Sequence, residues 1–162
     1  MIVSPQKKRL EHSLVGDSAH AVVPFYGQGM NAGFEDIFVL SNLLKKHKDD
    51  WATAFEEYQK ERKPNADAIA ELSYRNFMEM SSKTANAKFL LQKKIEKKFA
   101  TEHPDKWLPV YSRVTFSNKP YAEALAIGDV QEEVMKQVMK LPNIEEIWDS
   151  ELVTNKIIEL IA

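Results

Sequence analysis

Four of the chain's five glycines fall between Leu14 and Asp36, in the run LVGDSAHAVVPFYGQGMNAGFED. Glycine lets a chain turn sharply or pass close to another surface, because no Cβ stands in the way. The 162-residue sequence therefore concentrates its tight turning in one early segment and keeps only Gly128 elsewhere. A Gly-rich backbone entering a helix N-terminus is a device for holding negative charge or a polar ring edge. The expected layout is a short apolar strand over His12–Gly16, then a loop with Pro24, Gly27 and Gly29. A helix then starts near Met30-Asn31.

Downstream the apolar spacing is helical. From Asn31 to about His47 a stripe of Phe34, Ile37, Phe38, Leu40, Leu43 and Leu44 predicts one helix. Asp49-Asp50 is placed to cap a second over Trp51–Lys63, with Ala54, Phe55 and Tyr58 facing inward. Pro64 suits the first turn of a third, reaching about Ser81. A fourth runs from Thr84 to Thr101 with Phe89, Leu90, Ile95 and Phe99, and ends at His103-Pro104, since a residue before proline avoids the helical region. Residues 105–120, with two prolines and a β-branched, aromatic middle, read as a loop or short extended segment. Four further helices follow, over 120–127, 129–141, 143–149 and 150–161. The expected fold is mainly α, a helical array preceded by one short strand. Its regions are a polar segment (1–11), a glycine-loop strand and helix (12–48), a helical region (49–126) and a helical tail (127–162). In the tail Val134, Val138, Met139, Leu141, Ile144, Ile147 and Trp148 are predicted to turn inward.

A net charge of -2 argues against a nucleic-acid partner, which needs a concentrated positive face. The cluster Lys93-Lys94 with Lys97-Lys98 reads as a solvated helix face. Cysteine is absent, which removes disulfides, thiolate nucleophiles and Cys-based metal sites and fits a cytoplasmic protein. No apolar run approaches the roughly 20 residues of a membrane span. His12, His20, His47 and His103 lack metal-ligand spacing, so no metal site is expected; His20 reads as a loop-packing residue.

Within the glycine segment each residue type has a chemistry. The Asp17 carboxylate can accept hydrogen bonds from ribityl or ribose hydroxyls, or simply cap the turn it starts. Gly27 and Gly29 allow close approach to a flat ring, or make an ordinary tight turn. The N–H groups of Met30 and Asn31 fall among the unpaired donors of a helix N-terminus. Aimed at the pyrimidine edge of an isoalloxazine, they would stabilise the negative charge that builds there on reduction. Glu35 and Asp36 read as acids complementing the helix dipole.

The pattern Gly16-Asp17-Ser18-Ala19-His20-Ala21, Pro24, and Gly27-Gln28-Gly29-Met30-Asn31-Ala32-Gly33-Phe34-Glu35-Asp36 resembles the second flavin-binding motif of the group A FAD-dependent aromatic hydroxylases. Its wording from Pro24 to Asp36 is most similar to the kynurenine-hydroxylating members. Arg62 and Pro64 suit that family's helix break. Leu72-Ser73 with Asn76-Phe77-Met78-Glu79-Met80, and Pro109-Val110-Tyr111 with Val114-Thr115-Phe116-Ser117, resemble its substrate-side stretches. The likeness covers about residues 10–141. It implies FAD contacts from Asp17, Pro24, Gly27, Gly29, Met30 and Asn31. For the substrate, Phe25 and Tyr26 would face the aromatic ring, Asn76 and Tyr111 would meet the amino-acid group, and Glu79 would stand near the pocket. The implied reaction is NADPH- and O2-dependent hydroxylation of L-kynurenine to 3-hydroxykynurenine. No side chain is assigned a catalytic role.

No G-x-G-x-x-G turn occurs in the sequence. The family needs one for the ADP half of FAD. The chain therefore reads as the C-terminal portion of such a flavoprotein, inactive alone and lacking its N-terminal FAD-binding half as partner. Apolar faces left uncovered would favour self-association. The helical tail resembles the soluble tail that covers the substrate site in bacterial members; plain helical packing explains it equally. Two other readings stay open: part of another FAD-dependent aromatic hydroxylase, or a non-catalytic helical interaction module retaining a relic flavin loop.

Overall fold

A computed structural model describes residues 12–48, 50–83 and 86–162. The described chain is mainly helical: α1 (Asp17–His20), α2 (Gly29–Lys46), α3 (Trp51–Met78), a π-helical turn (Glu79–Lys83), α4 (Ala87–Glu102), α5 (Val110–Phe116), α6 (Tyr121–Val138), α7 (Ile144–Ile147) and α8 (Glu151–Ile161). Two compact units emerge. The first holds the described residues up to Phe77 together with Pro120–Ala122; the second holds Met78–Lys119 and Glu123–Ala162. No described helix is long and apolar enough to cross a membrane.

In the first unit Leu43, Ala54 and Tyr58 are buried against Val15, Val39, Leu40 and Leu44. Asp50 caps α3: its carboxylate accepts from the Thr53 hydroxyl at 2.8 Å and, more weakly, from the Thr53 N–H at 3.4 Å. The Thr53 hydrogen bonds hold the Asp50 carboxyl below its ordinary value. Asp49, its expected companion in the cap, lies outside the described residues.

The residues 12–15 carry no regular secondary structure, so the short strand expected there is not found in the described chain. A strand needs a neighbour to pair with, and Gly16 (φ 59°) turns directly into α1. Nor does the chain break at Pro64, which lies inside α3. The buried positions Phe55, Tyr58, Arg62, Ala66, Ile69 and Ser73 continue one stripe past it, and packing along that stripe outweighs the lost backbone bond. The Asn65 amide donates to the Glu61 carbonyl at 3.2 Å in the disturbed turn. Half of the stripe expected on α2 is also outward: Phe34, Ile37 and Phe38 are exposed, while Ala32, Asp36 and Leu43 are buried. The Pro120–Ala122 segment is held by Asn65, whose side-chain oxygen accepts from the Ala122 N–H at 3.1 Å.

The second unit packs Ile95, Phe99, Trp107, Val134, Met135, Val138, Ile144, Val153 and Ile157 into one core, with Met139, Leu141, Ile147 and Trp148 against its margin. The inward set expected in the tail is therefore found inside or against it. Phe99 meets Trp107 edge-on at 5.6 Å. Asn86 caps α4 by accepting from the Lys88 and Phe89 N–H groups at 2.9 and 3.3 Å. Where a loop was expected, residues 110–116 form α5. Pro109 precedes its first turn, where a missing N–H costs nothing, and burial of Val114 secures it. Helix α6 runs unbroken through Gly128, where a Cβ would stand 3.0 Å from Val110 Cγ2. That glycine lets α5 approach rather than ending a helix. Asn143, with φ 55°, makes the turn into α7.

Replacing Pro64 by alanine restores the missing i→i−4 bond without touching the buried stripe. The substitution is expected to raise stability by about 1–2 kcal/mol, part of the ~3 kcal/mol that an interior proline costs. A shift of the urea midpoint to higher concentration checks it.

Candidate functional site

The Gly16 turn and the start of α2 approach each other so closely that a Cβ at Gly33 would lie 3.5 Å from the Gly16 Cα. This packs α1 beside α2. The Asp17 side chain then reaches the α2 N-terminus, its Oδ1 3.9 Å from where a Cβ on Gly29 would stand. Gly27 has φ 67°, and a Cβ there would meet nothing within 4 Å. The loop is thus glycine for its conformation, and it faces open space. Gln28 precedes the helix, and the Ala32 N–H is the first to return, to the Gln28 carbonyl at 2.9 Å. The N–H groups of Gly29, Met30 and Asn31 accordingly have no intrahelical acceptor. Asp17, Pro24, Gly27, Met30 and Asn31 are exposed and Gly29 half-buried. An anionic or polar ring edge would find three aligned donors and a close-approach surface there, beside the Asp17 carboxylate.

Sequence reasoning missed what holds this loop. Asp36 is fully buried. Its Oδ2 accepts from the Gly16 N–H at 2.8 Å and from His20 Nε2 at 2.5 Å, and its Oδ1 from Arg62 Nε at 2.8 Å. Arg62, also buried, donates from Nη1 to Glu35 at 2.8 Å and from Nη2 to the Ala32 carbonyl at 3.2 Å. Neither acid merely decorates the helix dipole. Burial pushes the Asp36 carboxyl up, but the Gly16, Arg62 and His20 hydrogen bonds outweigh it and leave the group below its ordinary value. Burial and the Asp36 charge push the Tyr58 hydroxyl far up, so it stays protonated. A signal was present in the sequence: Ala32, Asp36, Val39 and Leu43 fall on one helical face, and an acid inside an apolar stripe demands a partner. Gln28 was also missed. It is buried and its Oε1 accepts from Asn31 Nδ2 at 2.8 Å and from the Tyr121 hydroxyl at 3.2 Å. Burial, then the Glu35 charge, pushes Tyr121 up to about 12.

Of the expected substrate residues, the structure joins Asn76 to the loop: its Nδ2 donates to the Phe25 carbonyl at 3.0 Å, and the Phe25 and Phe77 rings lie 4.9 Å apart. Tyr26 is half-buried in the same loop. Glu79 and Tyr111 belong to the second unit. Glu79 stands 3.6 Å from Lys93 Nζ, and the exposed Tyr111 ring meets Phe116 edge-on at 6.4 Å.

Residues 10–73, which include this loop, match the family model described as an FAD binding domain. The relatives it resembles are named kynurenine 3-monooxygenase. Those of Flavobacterium johnsoniae and Christiangramia forsetii are each 69% identical over 92% of this chain and 33% of the relative. The namesake from Saccharomyces cerevisiae is 46% identical over 76% of the chain and 27% of the relative. The chain thus spans about a third of the length of these curated relatives.

An aspartate titrates near 3.9 when unfolded, and native Asp36 lies lower. Its contribution to stability is complete above the unfolded value and is lost as pH falls through the native one. Denaturation profiles should therefore show stability falling in that acid range. Asp36→Asn should flatten this part of the profile and lower stability at pH 7 by about 3–5 kcal/mol, the usual result of breaking a buried ion pair.

Proposed function

We propose that this chain forms the isoalloxazine and ribityl side of the FAD site in a kynurenine 3-monooxygenase-type flavoprotein, as part of the C-terminal portion of its FAD- and NAD(P)-binding α/β fold. The observation that carries this reading is the Gly27-Gln28-Gly29 loop, which presents the three unpaired N–H groups of α2 beside the Asp17 carboxylate. The ADP half of the site comes from sequence outside these 162 residues, as does the sheet against which residues 12–16 would pair as a strand. The relatives' shared name supports kynurenine as substrate over another aromatic ring, and a working site over a relic loop.

Bound FAD supplies the electron transfer from NADPH and the activation of O2. This chain's residues position and stabilise. The Met30 and Asn31 N–H groups would hold the pyrimidine edge of the ring and would stabilise charge there. Asp17 accepts from ribityl hydroxyls, while Pro24, Gly27 and Gly29 shape the surface against the ring. On the substrate side Phe25 and Tyr26 face the aromatic ring and exclude water. The Asn76 Nδ2 is engaged by the Phe25 carbonyl, so its Oδ1 accepts from the substrate ammonium. Tyr111 and Glu79, in the second unit, are assigned to the substrate by the sequence resemblance alone. In this reading the protein is cytoplasmic.

Because the pyrophosphate contacts lie elsewhere, the 162-residue chain should bind FAD with a Kd weaker than about 0.1 mM and should not turn over kynurenine. Purified protein that is yellow, with near-stoichiometric flavin, would overturn this expectation. In the enzyme assembled with its ADP-binding portion, Tyr111→Phe should raise KM for kynurenine about tenfold, the ~1.4 kcal/mol of one lost hydrogen bond, with kcat changed less. An unchanged KM would remove Tyr111 from the substrate site. The exposed Met30, Phe34, Ile37 and Phe38 on α2 form an apolar face that favours self-association of the isolated chain. Light scattering should show mass rising from micromolar to millimolar concentration.

A further inference from the structure

We infer that the buried cluster of Asp36, Arg62 and His20 is the positioning device of the cofactor loop, with Arg62 and His20 acting on Asp17 through Asp36. The inference rests on the flavin reading of that loop and adds residues to it. Helix α1 is a single four-residue turn, too short to hold its own geometry. Its two ends are tied to one carboxylate: the Gly16 N–H and the His20 ring both donate to Asp36 Oδ2, at 2.8 and 2.5 Å. Asp17 lies between the two ties. Its place beside Gly29 is therefore set by where Asp36 stands.

Arg62 decides that. Its Nε holds the other oxygen, Oδ1, at 2.8 Å, and its Nη2 reaches the Ala32 carbonyl at 3.2 Å. Ala32 is one turn before Asp36 on the same helix. One guanidinium thus fixes both the carboxylate and the backbone turn that carries it. Lysine has a single point of charge and cannot span these acceptors with a rigid fork. A buried apolar trio could fill the same space with equal or better stability. It could not accept the Gly16 N–H or fix the rotation of α1. Directional positioning, more than stability, is what the ionic solution supplies.

The test uses the whole chain, amide hydrogen exchange read residue by residue, and flavin mononucleotide as probe. In the wild type the Gly16 amide should exchange at least tenfold more slowly than that of Gly27. In Arg62→Lys, exchange of Gly16, Ala19 and His20 should rise at least tenfold while amides around Phe99 and Val138 stay unchanged. A purely structural role would instead raise exchange throughout the first unit, Ala54 and Tyr58 included. Flavin mononucleotide at millimolar concentration should slow exchange at Gly29–Asn31 in the wild type and not in Arg62→Lys. Equal wild-type rates at Gly16 and Gly27, or undiminished flavin protection in Arg62→Lys, would overturn the positioning role. No protection by flavin in the wild type would overturn the flavin reading instead, and the Gly16 rates would still decide the cluster.

Discussion

The organising interaction of the first unit is a single buried charge. Asp36 has no contact with solvent, and an ionised carboxylate so placed is tolerable only with every acceptor site answered. Three donors from two segments answer it: the backbone of Gly16 and the ring of His20 at the ends of α1, and the guanidinium of Arg62 on α3. Gly16 and His20 flank α1 while Arg62 lies on α3, so the carboxylate can be satisfied only when the turn, α2 and α3 have all come together. Local structure and tertiary structure are here the same event. Moreover, the constraint reaches the candidate site directly, since the turn it holds carries Asp17 and abuts the helix whose N-terminus is open.

Glycine acts at a second level, by permitting approach. Gly33 lets α2 meet the Gly16 turn. In the second unit Gly128 does the same for α5 against α6. In both cases the missing Cβ matters more than backbone freedom, for neither Gly33 nor Gly128 has a positive φ. Gly16 and Gly27 do, and there the conformation itself asks for glycine.

Much of the helical layout was legible in the apolar spacing, because amphipathic period depends on the chain alone. The start of α2, the Asp50 end of α3, the stop of α4 at His103 and the inward tail residues were all legible in this way. Where the reading failed, a tertiary contact had overridden a local rule. Pro64 should end a helix, yet a continuous buried stripe carries α3 through it. Residues 110–116 look extended, yet burial of Val114 and the gap at Gly128 make them helical. Phe34, Ile37 and Phe38 look like core residues, yet the α2 face that turns inward is the one carrying Asp36, because that carboxylate must reach Arg62.

The chemistry of the site divides in the same way. The glycine loop and the resemblance it carries were legible in residue identity and order, because backbone approach and helix-terminal donors are local properties of a short segment. Which acids merely face water and which one organises the loop was decided by the folded structure. Glu35 and Asp36 are neighbours of nearly identical chemistry; only packing makes one half-exposed and the other a buried junction. Burial and the distances among His20, Asp36 and Arg62 are properties of three segments meeting, and no single segment encodes them.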